Sequence, residues 1–178
     1  MTRRLVAEFF GTFMLVFFGA GAVLTTNFPQ ADFGLLGVAF AYGIALAIGV
    51  TATMSISGGH LNPAVTAGML AIRRIDAKSA LLYIVAQLLA AVLAALVLKS
   101  IIPSGVTRVL ALGTPSIAAT ITLGRGIAIE AILTFFLMSA VLGTAVSAEA
   151  PKIAGFGIGL TLFIGILIGG PLTGAALN

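Results

Sequence analysis

The chain has 178 residues, of which 60% are hydrophobic and only 8% are charged. A soluble domain carries about 25% charged residues, so this composition excludes an ordinary soluble enzyme or binding domain. The net charge of +4 gives no sign of a nucleic-acid partner, and the absence of Cys excludes disulfide bonds and thiolate metal sites.

Three apolar segments in the first half have the length of membrane spans. Leu5–Leu24 is the first; a signal peptide is the alternative, but the apolar run is longer than about 15 residues and contains Glu8. Phe33–Ser57 is uncharged and exceeds the roughly 20 residues that a span needs. Ser79–Leu98 is the third, introduced by Asp76 and Lys78.

The segment Ser57–Thr66, with the sequence Ser-Gly-Gly-His-Leu-Asn-Pro-Ala-Val-Thr, interrupts these apolar runs. Asn62 suits the N-cap of a helix and Pro63 its first position. The apolar residues that follow, Ala64–Ile72, span only about 13 Å as a helix, which is too short to cross a bilayer. The segment therefore predicts a re-entrant half-helix of the kind found in channels and transporters, with a polar loop as the alternative.

The second half begins with the longest connection, Lys99–Leu123, in which Pro103, Gly105, Arg108 and Pro115 break regular structure. Gly126–Ala148 is the fourth predicted span and contains Glu130. Residues 153 to about 169 form the fifth, which we expect to end at Gly170-Pro171.

The two halves of the chain share a pattern. Aligning Asn62 with Asn178 also pairs Gly58 with Gly174 and Leu61 with Leu177, and a separate alignment pairs Glu8 with Glu130. Such internal symmetry is typical of repeated membrane architectures. It predicts one all-α domain over residues 1–178, with repeat one at about 1–99, a connecting loop at about 100–123 and repeat two at about 124–178.

The basic residues predict the orientation in the membrane. A cytoplasmic N-terminus places six of the nine inside (Arg3, Arg4, Arg73, Arg74, Lys78 and Lys152) and three outside (Lys99, Arg108 and Arg125). The loops before Asn62 and Asn178 then enter from opposite sides and meet near the midplane.

Three ionisable residues suggest functional roles. Glu8 and Glu130 could form a proton relay, but their matching repeat positions favour carboxylates that accept hydrogen bonds from the re-entrant loops. The single His60 fits a loop-fixing hydrogen bond better than a metal site. No pattern of catalytic residues supports an enzyme, and no cofactor is needed.

The Ala7–Thr12 opening, the Ser57–Thr66 segment, Glu130 and the ending Gly174–Asn178 resemble the aquaporin, or major intrinsic protein, family over essentially the whole chain. The family's second Asn-Pro-Ala motif, the arginine after it and the sixth helix would lie beyond Asn178. The chain thus resembles a member that is truncated at its C-terminus, with five spanning helices, and we expect these 178 residues alone not to form a selective channel.

The resemblance implies a passive, tetrameric channel in the plasma (bacterial inner) membrane for water and small neutral solutes. Its pore motif would be Asn62, Pro63, Ala64 and Asn178, and its selectivity filter Tyr42, Ile166 and Ala175. Ile166 stands where strict water channels usually have His, which implies a less polar constriction. Two alternatives stay open: a secondary transporter with inverted repeats, and a non-functional truncated fragment.

Overall fold

The computed structural model describes residues 1–26, 28–151 and 153–178, and helices dominate it. Five of the described helices are long and apolar enough to cross a membrane. The helices are α1 (Thr2–Thr25), α2 (Gly34–Ser57), α3 (Pro63–Ala71), α4 (Ala77–Ile101), α5 (Ser104–Val109), α6 (Leu123–Val141) and α7 (Ala154–Thr173). The predicted all-helical membrane fold with five spans and one half-helix is confirmed.

The bounds of the spans differ from the prediction by a few residues, most clearly at the end of the fifth. The fifth span, α7, continues through Pro171 to Thr173, so the predicted end at Gly170-Pro171 was wrong. Proline lacks one N–H but has helical φ, and the Gly174 N–H still donates to Gly170 O at 3.0 Å before the left-handed Gly174 ends the helix. The long connection is also less irregular than expected, because it contains the short helix α5.

Helix α2 occupies the middle of the bundle, between α1 and α7. The crossing of α2 and α7 is close because both helices have glycine there. A Cβ on Gly159 would lie 2.3 Å from Gly43 O, and a Cβ on Gly43 would lie 2.8 Å from Gly159 O. Only glycine permits this backbone approach, which is a common device for joining membrane helices.

The apolar core surrounds the two loops that precede Asn62 and Asn178. It includes Leu46 and Val50 of α2, Leu162 of α7, and the loop residues Leu61 and Leu177. On the outside, large apolar side chains are exposed on every spanning helix; they include Phe10, Leu36, Leu81, Phe135 and Ile168. These side chains form an apolar outer surface that suits contact with lipid or with neighbouring subunits.

Candidate pore and its two supporting loops

The first loop joins α2 to the half-helix α3 through a tight turn. Gly58, Gly59 and Leu61 have left-handed backbones with φ of 93°, 62° and 51°. A Cβ on Gly59 would lie 3.1 Å from Val50 O, so both the conformation and the space favour glycine. The turn delivers Asn62 to the N-cap of α3, where its Oδ1 accepts from the N–H groups of Ala64 (2.7 Å) and Val65 (3.2 Å).

The second loop, after α7, repeats this turn. Gly174, Ala175 and Leu177 have φ of 83°, 51° and 48°, and they are the residues that the sequence alignment pairs with Gly58, Gly59 and Leu61. Ala175 holds a left-handed conformation despite its Cβ, which costs about 1–2 kcal/mol. The surrounding structure imposes the same turn on two different sequences.

The Glu8 carboxylate joins the first loop to α1 and α4. Its Oε1 accepts from Ser57 Oγ (2.6 Å) and His60 N (3.0 Å), and its Oε2 accepts from Leu61 N (2.7 Å) and Gln87 Nε2 (2.8 Å). The side chain is fully buried. Four donors meet two oxygens, which is the full accepting capacity of an ionised carboxylate.

Glu130 of α6 has the same arrangement in the second half. Its Oε1 accepts from Ala176 N (3.2 Å) and from the Thr173 hydroxyl, and its Oε2 accepts from Leu177 N (2.9 Å). Each glutamate therefore satisfies two loop N–H groups that would otherwise be unpaired at membrane depth. This geometry supports a loop-supporting role for both residues.

The two loops meet at their tips. Asn62 Nδ2 donates to Leu177 O at 2.9 Å, and Ala64 N donates to Asn178 Oδ1 at 3.3 Å. An asparagine amide has two N–H groups, so the bond to Leu177 leaves Asn62 one further donor. Pro63, at the first helical position, has no N–H to satisfy there.

A cavity of about 390 Å³ lies beside these tips. Its polar lining includes Asn62, Asn178, His60 and Tyr42, and its apolar walls come from α2, α6 and α7 through Leu46, Val50, Leu137 and Leu162. The small Ala175 also lines it.

Only two of the three predicted filter residues are among the described lining residues of the cavity. Tyr42 and Ala175 line the cavity, whereas Ile166 is buried in the core with Leu162 and Ala175 and is absent from the described lining. The structure thus brings two of the three together at the cavity.

His60 is held from two sides. Its Nδ1 lies 3.1 Å from Thr66 Oγ1, and its ring meets the ring of Tyr83 edge-on with centroids 5.2 Å apart. The Thr66 hydroxyl donates to Asn62 O, so His60 Nδ1 acts as the donor to Thr66. These contacts support the predicted loop-fixing role of His60.

Sequence reasoning missed four residues of this network: Ser57, Tyr83, Gln87 and Thr173. The Tyr83 hydroxyl donates to Ser57 O at 2.8 Å, and Gln87 Nε2 bonds both Glu8 and Thr66 Oγ1, the latter at 3.1 Å. Two signals were available. The alignment of the halves pairs two hydroxyl residues, Ser57 and Thr173, and Gln87 is a polar side chain inside an apolar helix.

Comparison with known proteins identifies the family of the chain. The chain matches the family described as "Major intrinsic protein" over residues 1–178. It is 36% identical over 196 residues to "Aquaporin AqpM" of Methanothermobacter marburgensis, covering 100% of this chain and 80% of that protein. It is 37% identical over 179 residues to "Glycerol uptake facilitator protein-like 6" of Lactiplantibacillus plantarum, covering 99% and 79%.

A solved structure shares the fold as well. The aquaglyceroporin from Plasmodium falciparum superposes with a TM-score of 0.86 at 27% identity, covering 99% of this chain and 76% of that one. The sequence match extends over all 178 residues, and the fold and paired loops agree with it. The chain therefore belongs to the major intrinsic protein family.

Proposed function

We propose that the protein is a passive channel for water and small neutral solutes such as glycerol or urea. The observation that carries the proposal is the meeting of two equivalent loops, through Asn62 and Leu177, beside a largely apolar cavity. The names of the related proteins, an aquaporin and a glycerol uptake facilitator, support the same substrate class. Membership of this family makes the protein a channel and not an enzyme.

The cavity's chemistry suits rapid passage of neutral molecules. Its apolar walls offer few hydrogen bonds, so a molecule is held where polar groups line the cavity, among them the amides of Asn62 and Asn178. The N-terminus of α3 begins at Asn62, and its partial positive charge opposes cations at the same point. Water and polyols can satisfy the donors without carrying a charge past the helix end.

Selectivity would be set by Tyr42, Ile166 and Ala175. Tyr42 adds a hydroxyl to an aromatic wall, and Ala175 leaves room beside it. The family resemblance supports Ile166 as the third member, although its side chain lies in the core in this structure. An apolar Ile at this position favours solutes with carbon chains over water alone.

We further propose a homotetramer in the plasma membrane with a cytoplasmic N-terminus and one domain made of two inverted repeats. The exposed apolar faces of the spanning helices fit either lipid or neighbouring subunits. The distribution of the basic residues supports the orientation; Lys152, one of the residues counted inside, lies outside the described residues.

The test of the function is Asn62→Asp in proteoliposomes, made in a protein that continues past Asn178 with the family's second motif and sixth helix, which all the flux measurements below also use. A carboxylate cannot donate, so the variant loses both the bond to Leu177 O and the donor for permeating molecules. We expect water and glycerol flux to fall at least about tenfold, since a change of about 1.4 kcal/mol already alters a rate tenfold. The matched control is Ile168→Ala, whose side chain is 68% exposed on α7.

Equal flux for Asn62→Asp and the wild type, at equal protein density, would show that Asn62 takes no part in permeation. Uptake that needs an imposed ion or proton gradient would indicate the secondary transporter instead. Flux that follows the solute gradient in both directions is the result expected for a channel.

A further inference from the structure

A cluster of basic side chains lies at one end of the bundle, and none of its members is among the described lining residues of the cavity. Its members are Arg3 and Arg4 in the first turn of α1, Arg73 and Arg74 in the turn between α3 and α4, and Lys78 in the first turn of α4. All five residues are exposed. We call these five residues the basic rim.

Hydrogen bonds within the bundle bring the parts of the rim together. Glu8, one helical turn after Arg4, accepts from Ser57, and the Ser57 carbonyl accepts from Tyr83 of α4 at 2.8 Å. Tyr83 lies less than two turns after Lys78. The first turns of α1 and α4 therefore lie side by side at the same end of the molecule.

The rim has little negative charge of its own. Within residues 1–7 and 71–79 the only acid is Asp76. Both Asp76 oxygens are bound by Ser79, Oδ1 by its N–H (2.9 Å) and Oδ2 by its hydroxyl (2.6 Å). Two further acids lie towards this end: Glu8, which is buried one turn after Arg4 and already accepts four hydrogen bonds, and the exposed Glu149 in the connection between α6 and α7.

The start of α1 adds to the positive potential. Its first turn has no acidic residue and its N-cap makes no side-chain hydrogen bond. Two arginines at the positive end of a helix are electrostatically unfavourable unless an anion lies close to them.

The surface next to the rim is apolar and exposed. On α1 the face that begins at Arg3 continues with Val6 (61% exposed) and Phe10 (55%). On α4 the face that begins at Lys78 continues with Leu81 (63%) and Val85 (44%). A cationic group followed along the helix by exposed apolar side chains matches a phospholipid, whose phosphate lies at the membrane surface above its acyl chains.

We propose that the basic rim binds the headgroup of an anionic phospholipid, whose acyl chains lie along the exposed faces of α1 and α4. A membrane-bound phosphate fits better than a soluble one, because the charged and apolar parts of the surface are continuous. Each basic residue next to a membrane span raises the affinity for anionic lipid about fivefold.

The experiment is native mass spectrometry of the purified protein in a neutral detergent, titrated with phosphatidylglycerol or with phosphatidylcholine of the same acyl chains. The test variant is Arg3→Gln/Arg4→Gln/Lys78→Gln. The matched control is Lys99→Gln/Arg108→Gln/Arg125→Gln, which removes three exposed charges at the opposite end.

We expect the wild type and the control to prefer phosphatidylglycerol, and the test variant to bind it about a hundredfold more weakly. High salt should weaken the binding of phosphatidylglycerol to the wild type. An equal loss in both variants, or no preference between the lipids, would overturn the proposal. Displacement of the lipid by inorganic phosphate at matching concentration would show a soluble-anion site and overturn it too. If the triple variant fails to fold, the single change Arg3→Gln, at an exposed residue, gives the same comparison.

Discussion

Among single residues, Glu8 shows how a carboxylate can be buried inside an apolar bundle. Its two oxygens accept from four donors, two of which are backbone N–H groups of the first loop. An unpaired backbone group at membrane depth costs several kcal/mol. The carboxylate thus holds a turn that apolar packing alone could not stabilise.

Glu8→Gln should destabilise the protein by about 2–4 kcal/mol, because an NH₂ group would face donors where an oxygen now accepts. The measurement is the melting temperature in detergent together with the yield of folded protein. Glu149→Gln, at an exposed residue in a connecting loop, is the control and should change neither. A normal melting temperature combined with altered proton dependence of transport would revive the proton-relay interpretation.

Gly19 of α1 determines the position of a cavity-lining ring. A Cβ at Gly19 would lie 2.0 Å from Cε1, 2.2 Å from Cδ1 and 2.4 Å from Cζ of Tyr42. The absence of a side chain at Gly19 therefore allows the Tyr42 ring to lie against α1.

Gly19→Ala should therefore displace the Tyr42 ring towards the cavity and reduce glycerol flux more than water flux. The measurement is the ratio of the two permeabilities in proteoliposomes. Gly21→Ala is the control on the same helix, since its Cβ would make only an ordinary 3.4 Å contact with Leu98. An unchanged ratio in a correctly folded variant would contradict this role.

Among the secondary-structure elements, the contact of α2 with α7 depends on glycine on both helices. Gly159 packs against Gly43, and Gly155 packs against α2 as well, where its Cβ would lie 2.5 Å from Ala47 O. The obstacles in both cases include backbone atoms, which cannot move aside without separating the helices.

Gly159→Ala should cost about 1–3 kcal/mol through overpacking and lower the melting temperature. Gly124→Ala is the matched control, because Gly124 also lies in a helix but has nothing within 4 Å of its added Cβ. We expect that control to be neutral or slightly stabilising. Equal melting temperatures for the two variants would show that α2 and α7 can move apart at this crossing without loss of stability.

Much of this element structure could be predicted from the sequence. The five spans were predicted from long apolar runs, because an apolar segment that lies in lipid must form a helix to satisfy its own backbone N–H and C=O groups. The start of α3 was predicted from Asn62-Pro63, because the capping bond of the Asn62 side chain is local in the sequence. The end of α7 was missed because Pro171 removes only the bond that its own N–H would make to the carbonyl of Leu167. The N–H groups after it still bond within the helix, as Gly174 N does to Gly170 O.

For the molecule as a whole, the symmetry of the two halves was visible in the sequence but its contacts were not. The paired glycines and asparagines indicated two similar loops. The bond from Asn62 to Leu177 joins residues far apart in the chain, and local pattern cannot reveal it. The same limit applies to Gln87, whose partners Glu8 and Thr66 come from two other elements.

Solutes should cross the membrane through the cavity beside the tips of the two loops. The chain contains no Cys, so a single introduced thiol can be modified without background labelling. Leu162→Cys places the thiol on the cavity wall, and Ile168→Cys places it on the lipid-facing side of the same helix.

The decisive measurement is water and glycerol flux in proteoliposomes before and after treatment with a thiol reagent, with labelling verified by mass. We predict that modification abolishes most of the flux through Leu162→Cys and leaves that through Ile168→Cys unchanged. Full flux through completely labelled Leu162→Cys would contradict the account, because molecules would then cross by another route.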